Sequence, residues 1–208
     1  MYVTNTLDQT PNINAITQKV NYRINVLSSI VKYSDHKTRK ILYESIIISV
    51  FRYCCETLID SRARNLNILN VLLSKCAHNV IGFRSYKMNL SSIYKELKWL
   101  SASQLIISQS LKSIHKISFE IMPPALTVYM RHSMVSTEGS RLCRKPSLKY
   151  MPSSAKTLNG FFHRSVYIYN QIEDNYRMIP SKKFNKKISK YISIKFNYRD
   201  IPKIPNSL

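Results

Sequence analysis

Residues 64–82 read RNLNILNVLLSKCAHNVIG. Within them Leu66, Leu69, Leu72, Leu73, Ala77, Val80 and Ile81 recur three and four apart, the spacing that gathers side chains onto one face of an α-helix. Gly82 stands just past the last periodic position, where a left-handed residue commonly ends a helix. The pattern predicts a helix from about Arg64 to Ile81. A single amphipathic helix of that length is unstable in water, so its wide stripe requires partner helices.

Upstream, Val20, Ile24, Leu27 and Val31 keep the same period, with Lys19, Arg23 and Lys32 elsewhere on the wheel; this predicts a first helix. Ser34 or Asp35 can accept the free amide hydrogens of a second. Its expected apolar set is Ile41, Leu42, Ser45, Ile46, Ser49, Val50 and Tyr53. Three helices within about 65 residues, joined by short connections, make an antiparallel bundle. Residues 1–18 are rich in Asn and Thr, contain Pro11 and read as a loose leader.

Downstream, Ser92 and Glu96 flank a short helical segment leading to Trp99, the only tryptophan. Ser101 or Ser103 can cap a further helix through about Phe119, and Met122-Pro123-Pro124 stops it. Arg131 to Pro152 alternates Ser, Gly, Pro and basic residues, as an exposed arm would. From Thr157 periodicity returns, first as Phe161, Phe162, Val166, Tyr169 and Ile172. It resumes, behind Ser181 as a cap, as Phe184, Ile188, Tyr191 and Ile192. The expected organisation is a leader (1–18), a three-helix bundle (19–90), a helical extension (91–130), a basic linker (131–156), a C-terminal helical unit (157–192) and a loose tail (193–208). The fold class is all-α: a helical bundle followed by a small, basic, mainly helical C-terminal region.

The 208 residues hold 32 Lys and Arg against 11 Asp and Glu, a formal charge of +21, while 44% apolar residues can supply a core. Such a charge repels itself unless a polyanion or solvent ions offset it, which makes nucleic acid the expected partner. The charge is +9 over residues 1–130 and +12 over the shorter stretch 131–208. Scattered carboxylates weigh against two-metal catalysis and against a glycosidase pair. No run of 18 apolar residues exists to span a membrane, and the N-terminus lacks the features of a secretory signal. An intracellular protein is expected, with nothing to choose between nucleus and cytoplasm.

Cys54, Cys55, Cys76 and Cys143 match no zinc-module spacing, and His36, His78, His115, His132 and His163 contain no His-x-x-x-His pair. Asp8, Asp35, Asp60, Asp174 and Asp200 are isolated from one another, and Glu173-Asp174 reads as a solvated turn. No catalytic residue, metal site or cofactor is expected.

Taken together, residues 21–60 (NYRINVLSSIVKYSDHKTRKILYESIIISVFRYCCETLID) and 66–83 (LNILNVLLSKCAHNVIGF) resemble the thumb region of reverse transcriptases from non-LTR retrotransposons. The resemblance continues through residues 93–117, IYKELKWLSASQLIISQSLKSIHKI, where Glu96, Leu97, Trp99 and Leu100 occupy that family's E-L-x-W-L motif. It extends to residues 159–172, NGFFHRSVYIYNQI, on Gly160, Phe161, Arg164, Tyr169 and Asn170. Phe184, Asn185, Ile188, Ser189, Tyr191 and Ile192 approximate a final F-K-x-x-L-K-x-Y-L helix. Two departures stand out: Gln171-Ile172-Glu173 replaces the family's Leu-Pro, and Asn185 replaces a lysine. The resemblance implies a thumb-like bundle without the catalytic palm, whose paired aspartates lie upstream in that family. It also implies an upstream palm-containing polypeptide as a second partner.

The residues expected to meet phosphates are Lys32, Lys37, Arg39, Lys40, Arg62, Arg64, Lys75, Arg84 and Lys87 in the bundle. Arg141, Arg144, Lys145 and Lys149 follow on the arm, with Lys182, Lys183, Lys186, Lys187 and Lys190 on the last helix. Tyr33, Tyr86, Tyr150 and Tyr198 lie near basic segments as candidate stacking partners, whereas Tyr43, Tyr53, Tyr169, Tyr191 and Trp99 read as core. The expected function is non-catalytic binding of RNA or DNA. The alternatives are a decayed retroelement relic without function and a basic structural protein of unrelated origin.

Overall fold

The computed structural model describes residues 9–53, 55–61, 63–82, 88–119, 134–136, 148–150 and 161–196, with the backbone alone at Asp60, 134–136, 148–150 and 161–163. The chain is all-α. Its described residues fall into two compact units, one running to Ile106 and the other from Ile107 to Phe196. The division lies inside a helix whose periodic pattern is unbroken, so the sequence carries no sign of it.

The first unit contains α1 (Thr10–Ile30), α2 (His36–Tyr43), α3 (Ser49–Arg52), α4 (Ala63–Ile81), α5 (Leu90–Leu97) and the start of α6 (Ala102–Ser118). Helix α4 lies at the centre of this unit, packed against α1, α2 and α5. Its expected stripe is buried at every position from Leu66 to Ile81, and Gly82 takes φ +72°, the left-handed geometry that closes the helix.

Two expectations are corrected here. Helix α1 begins at Thr10, so residues 10–18 are not a loose leader, and Ile13 is fully buried. Pro11 sits in the first turn, where a missing N–H breaks no helical bond, and the polar Thr17 occupies the place in the period between Ile13 and Val20. The stripe of the second helix is also displaced. Tyr43, Ile47, Ile48 and Phe51 are buried, while Ile41 and Tyr53 are exposed. Between α2 and α3, residues Glu44–Ile48 form a wider π-helical turn. In a regular helix an i, i+4 series drifts by about 40° per step. The wider turn takes up that drift, so Tyr43, Ile47 and Phe51 stay on the core side.

Polar contacts fix the helix ends. Asp35, not Ser34, caps α2, accepting from the amides of Lys37 (3.1 Å) and Thr38 (3.4 Å). Ser101 caps α6: its Oγ accepts from Gln104 N at 3.2 Å, and Gln104 Oε1 accepts from Ser101 N at 3.2 Å. This reciprocal pair is a capping box, and Asn70 Oδ1 on α4 takes the next amide, Ala102 N, at 3.0 Å. Ser101→Ala is expected to cost about 1–2 kcal/mol, because it strands a buried amide, and a shift in the urea midpoint would register it.

Helix α5 ends on Lys98, the only non-glycine residue with positive φ (+57°) among the described residues. An exposed L-residue there is strained. Lys98→Gly is therefore expected to stabilise the protein by about 0.5–1 kcal/mol, measured as a higher melting temperature.

The second unit contains the remainder of α6, α7 (Phe161–Asn170), α8 (Asp174–Arg177) and α9 (Ser181–Lys195). Two three-residue strands, β1 (Met134–Ser136) and β2 (Leu148–Tyr150), pair antiparallel with Met134 opposite Tyr150. They lie within the stretch read as linker, which thus carries local structure, and β2 lies beside α7. Ser181 does not cap α9. The carbonyl of Pro180 accepts from Lys183 N (2.9 Å) and Phe184 N (3.0 Å), placing Ser181 inside the helix. The expected aliphatic and aromatic faces are buried at Val166, Tyr169, Ile172, Phe184, Ile188, Tyr191 and Ile192. Helix α9 continues three residues beyond the expected end at Ile192.

At the centre of the second unit lies His115. Its ring stacks on Phe184 with centroids 3.8 Å apart, and Phe119 and Tyr169 flank it. Nε2 lies 3.0 Å from the carbonyl of Ile179, which can only accept, so Nε2 carries the hydrogen; Nδ1 then accepts from the Tyr169 hydroxyl at 3.0 Å. No helix among the described residues is long and apolar enough to cross a membrane.

Candidate nucleic-acid interface

Helix α9 is held by its buried side, Phe184, Ile188, Tyr191 and Ile192. At about 100° per residue, Lys182, Lys183, Lys186, Lys187 and Lys190 fall within an arc of about 140° nearly opposite that stripe. All five are exposed, and none has an ion pair among the described residues. At the end of the helix Lys195 does have one, to Glu173 at 3.6 Å. The first turn of α9 has no acidic residue but two lysines, against the positive end of the helix dipole. Lys182 and Lys186, Lys183 and Lys187, and Lys186 and Lys190 are like-charged neighbours at i, i+4. A row of phosphates along this face would neutralise every one of these repulsions.

In the first unit the expected cations are divided between contact with solvent and support of the fold. Lys32, Lys37, Arg64 and Lys75 are exposed. Arg64 and Lys75 share the outer face of α4, about three turns apart. Arg39 is half-buried: its Nε donates to Ser34 O at 2.8 Å, and its guanidinium lies so close to Gly82 that a Cβ built there would stand 3.2 Å from Nη1. Arg39 thus sits at the C-terminal end of α4, where a cation favours the dipole. Lys40 reaches Glu44 at 3.8 Å, and Glu44 also accepts from Trp99 Nε1 at 2.8 Å. Arg39 therefore ties the start of α2 to the end of α4, while Lys40 pairs within its own helical segment, which a charge count does not reveal. Arg62, Arg84, Lys87, Arg141, Arg144 and Lys145 lie outside the described residues, as do Tyr86 and Tyr198; Lys149 and Tyr150 fall in β2, where only the backbone is described.

Tyr33 is exposed on the turn after α1, with Lys32 Nζ 5.9 Å from its ring centroid. Tyr43, Tyr169, Tyr191 and Trp99 are buried, whereas Tyr53, expected in the core, is exposed. Tyr43 also accepts from Asn79 Nδ2 of α4 at 3.2 Å.

The Cys76 thiol is pushed up to about 12 by burial and stays protonated at neutral pH. Burial likewise lowers the His115 pKa, while the hydrogen bond to Ile179 opposes the shift, so the imidazole is neutral at pH 7. The Asp35 carboxyl is held below its ordinary range chiefly by the Thr38 side chain, as suits a cap. No group of three metal-ligating side chains occurs among the described residues. No protein-family model, curated protein or solved structure matches the chain.

Proposed function

We propose that this chain is a non-catalytic, nucleic-acid-binding portion of a retroelement reverse transcriptase, gripping RNA or DNA by the phosphate backbone. The observation that carries the reading is the lysine face of α9, five exposed ammonium groups opposite a buried stripe, on a chain of charge +21. Its contacts are to phosphates and set affinity and register without reading sequence. The lineage rests on the ordered resemblance to thumb and C-terminal motifs. Leu97, Trp99, Tyr169, Phe184 and Tyr191, which carry parts of that resemblance, are packing residues here. In this reading an upstream palm-containing polypeptide supplies the catalytic aspartates, and the chain alone adds no nucleotides.

The test is titration of the purified chain with duplex DNA, single-stranded RNA and an RNA–DNA hybrid at several salt concentrations, alongside a primer-extension assay. The expected result is binding whose logarithm falls linearly with the logarithm of salt, with no extension. Binding insensitive to salt, or primer extension by this chain alone, would overturn the reading. A noncooperative melt without binding would instead favour a decayed relic.

A further inference from the structure

Helix α1 has two apolar faces. Ile13, Val20, Ile24 and Leu27, followed by Val31, are buried in the first unit. On the other side Tyr22 is 71% exposed, Val26 41%, Ile30 59% and Tyr33, on the turn that continues the helix, 90%. At about 100° per residue the second set lies within an arc of about 80°, turned well away from the buried set. Its spacing of four, four and three is that of a helix seam, and a helix apolar on two sides is ordinarily covered on both. The surroundings are cationic. From Gln9 to Ser34 there is no Asp or Glu, and the charged residues are Lys19, Arg23 and Lys32. Arg23 donates to the carbonyl of Ile46, whereas Lys19 and Lys32 are exposed beside the seam.

We infer that the Tyr22–Val26–Ile30–Tyr33 face is a docking surface for an amphipathic helix of another protein, one whose apolar seam is flanked by Asp and Glu. Charge complementarity selects that occupant. A second copy would bring another +21 and a helix whose charged residues are again all cationic, Lys19, Arg23 and Lys32. Val26 and Ile30, at the centre of the seam, offer a phosphate nothing. They offer a partner's Leu or Ile a dry contact, with the two tyrosine rings as anchors at either end.

The test uses the full chain and its V26S/I30S variant, which removes apolar surface without changing charge. The probes are helical peptides of about 20 residues with a Leu/Ile seam, flanked by Glu, Gln or Lys. By fluorescence anisotropy the Glu-flanked peptide is expected to bind the wild type and to bind the variant about ten-fold more weakly, at an unchanged melting temperature. The Lys-flanked peptide is expected not to bind. Equal affinity for the two proteins would mean charge attraction alone and would overturn the inference, as would failure of every peptide to bind the wild type. A concentration-dependent dimer dispersed by V26S/I30S would assign the face to a second copy. Weaker RNA or DNA binding by the variant would assign it to nucleic acid. Either result would also overturn it.

Discussion

Replacing Lys182, Lys183, Lys186, Lys187 and Lys190 together with Gln is expected to weaken nucleic-acid binding while making the protein more stable. Each phosphate contact releases about 0.9 of a counterion from duplex DNA and about 0.7 from a single strand. If three of the five lysines reach phosphate at once, the salt slope flattens by about 2–3. At low salt the affinity falls by roughly 10²-fold or more, the usual consequence of removing several phosphate contacts. The opposite effect on stability comes from within the helix. Three like-charged i, i+4 pairs and two i, i+3 pairs disappear at about 0.2–0.5 kcal/mol each, and two cations leave the positive end of the dipole. The variant is therefore expected to gain about 1–2 kcal/mol. Denaturation midpoints and salt titrations of the same two proteins check both halves. Unchanged affinity and slope would leave the lysines as a solvated face, and lost stability would place them in a packing role.

The α9 face could be read in the sequence because its two components have the same period. Phe184, Ile188, Tyr191 and Ile192 define a buried side, and the five lysines recur on the side nearly opposite, with no residue serving both. Helix α4 was legible for the same reason, since its stripe runs from Leu66 to Ile81 without a break. What could not be read was set by tertiary contact. The π-helical turn at Glu44–Ile48 rotates the core side of the second helix, and Ile46 within it accepts from Arg23 of α1, a residue more than 20 positions away. No local spacing encodes that partner. A cation count cannot distinguish a solvated guanidinium from that of Arg39, held against Gly82, nor a free ammonium from that of Lys40, paired with Glu44. The outer face of α1 was missed because Val20, Ile24, Leu27 and Val31 already accounted for a helix, and Tyr22, Val26 and Ile30 exceed what one buried face requires. Among the histidines, spacing alone excluded a metal pair but gave no sign that His115 would be the one enclosed in a core.

Acidification should loosen the second unit through that histidine. Burial holds the folded-state pKa of His115 below the ordinary 6.5, so between those two values the unfolded chain binds more protons than the folded one. Stability therefore rises with pH across this window. The contribution is complete above about pH 6.5 and is lost as pH falls toward the folded value. The neighbours compensate only in part: Phe119 and Phe184 are apolar, the hydrogen bond to the Ile179 carbonyl favours the charged ring without overcoming burial, and the Tyr169 hydroxyl, its own pKa raised by burial, offers no negative charge. Chemical denaturation at pH 7.5, 6 and 5 is expected to show a falling midpoint for the wild type. Acidification also adds positive charge to a chain already at +21, so the decisive comparison is with His115→Phe, which retains a ring against Phe184 but does not titrate. That variant starts lower, by about 1–3 kcal/mol, because the Ile179 carbonyl loses the imidazole and the Tyr169 hydroxyl is left with the longer contact to Ser118 Oγ, 3.4 Å. Its pH dependence between 7 and 5 should be visibly flatter. His115→Ala, which removes the stacked ring as well, should cost about 3 kcal/mol or more. Parallel curves for the wild type and His115→Phe would mean that the acid response belongs to net charge rather than to this ring.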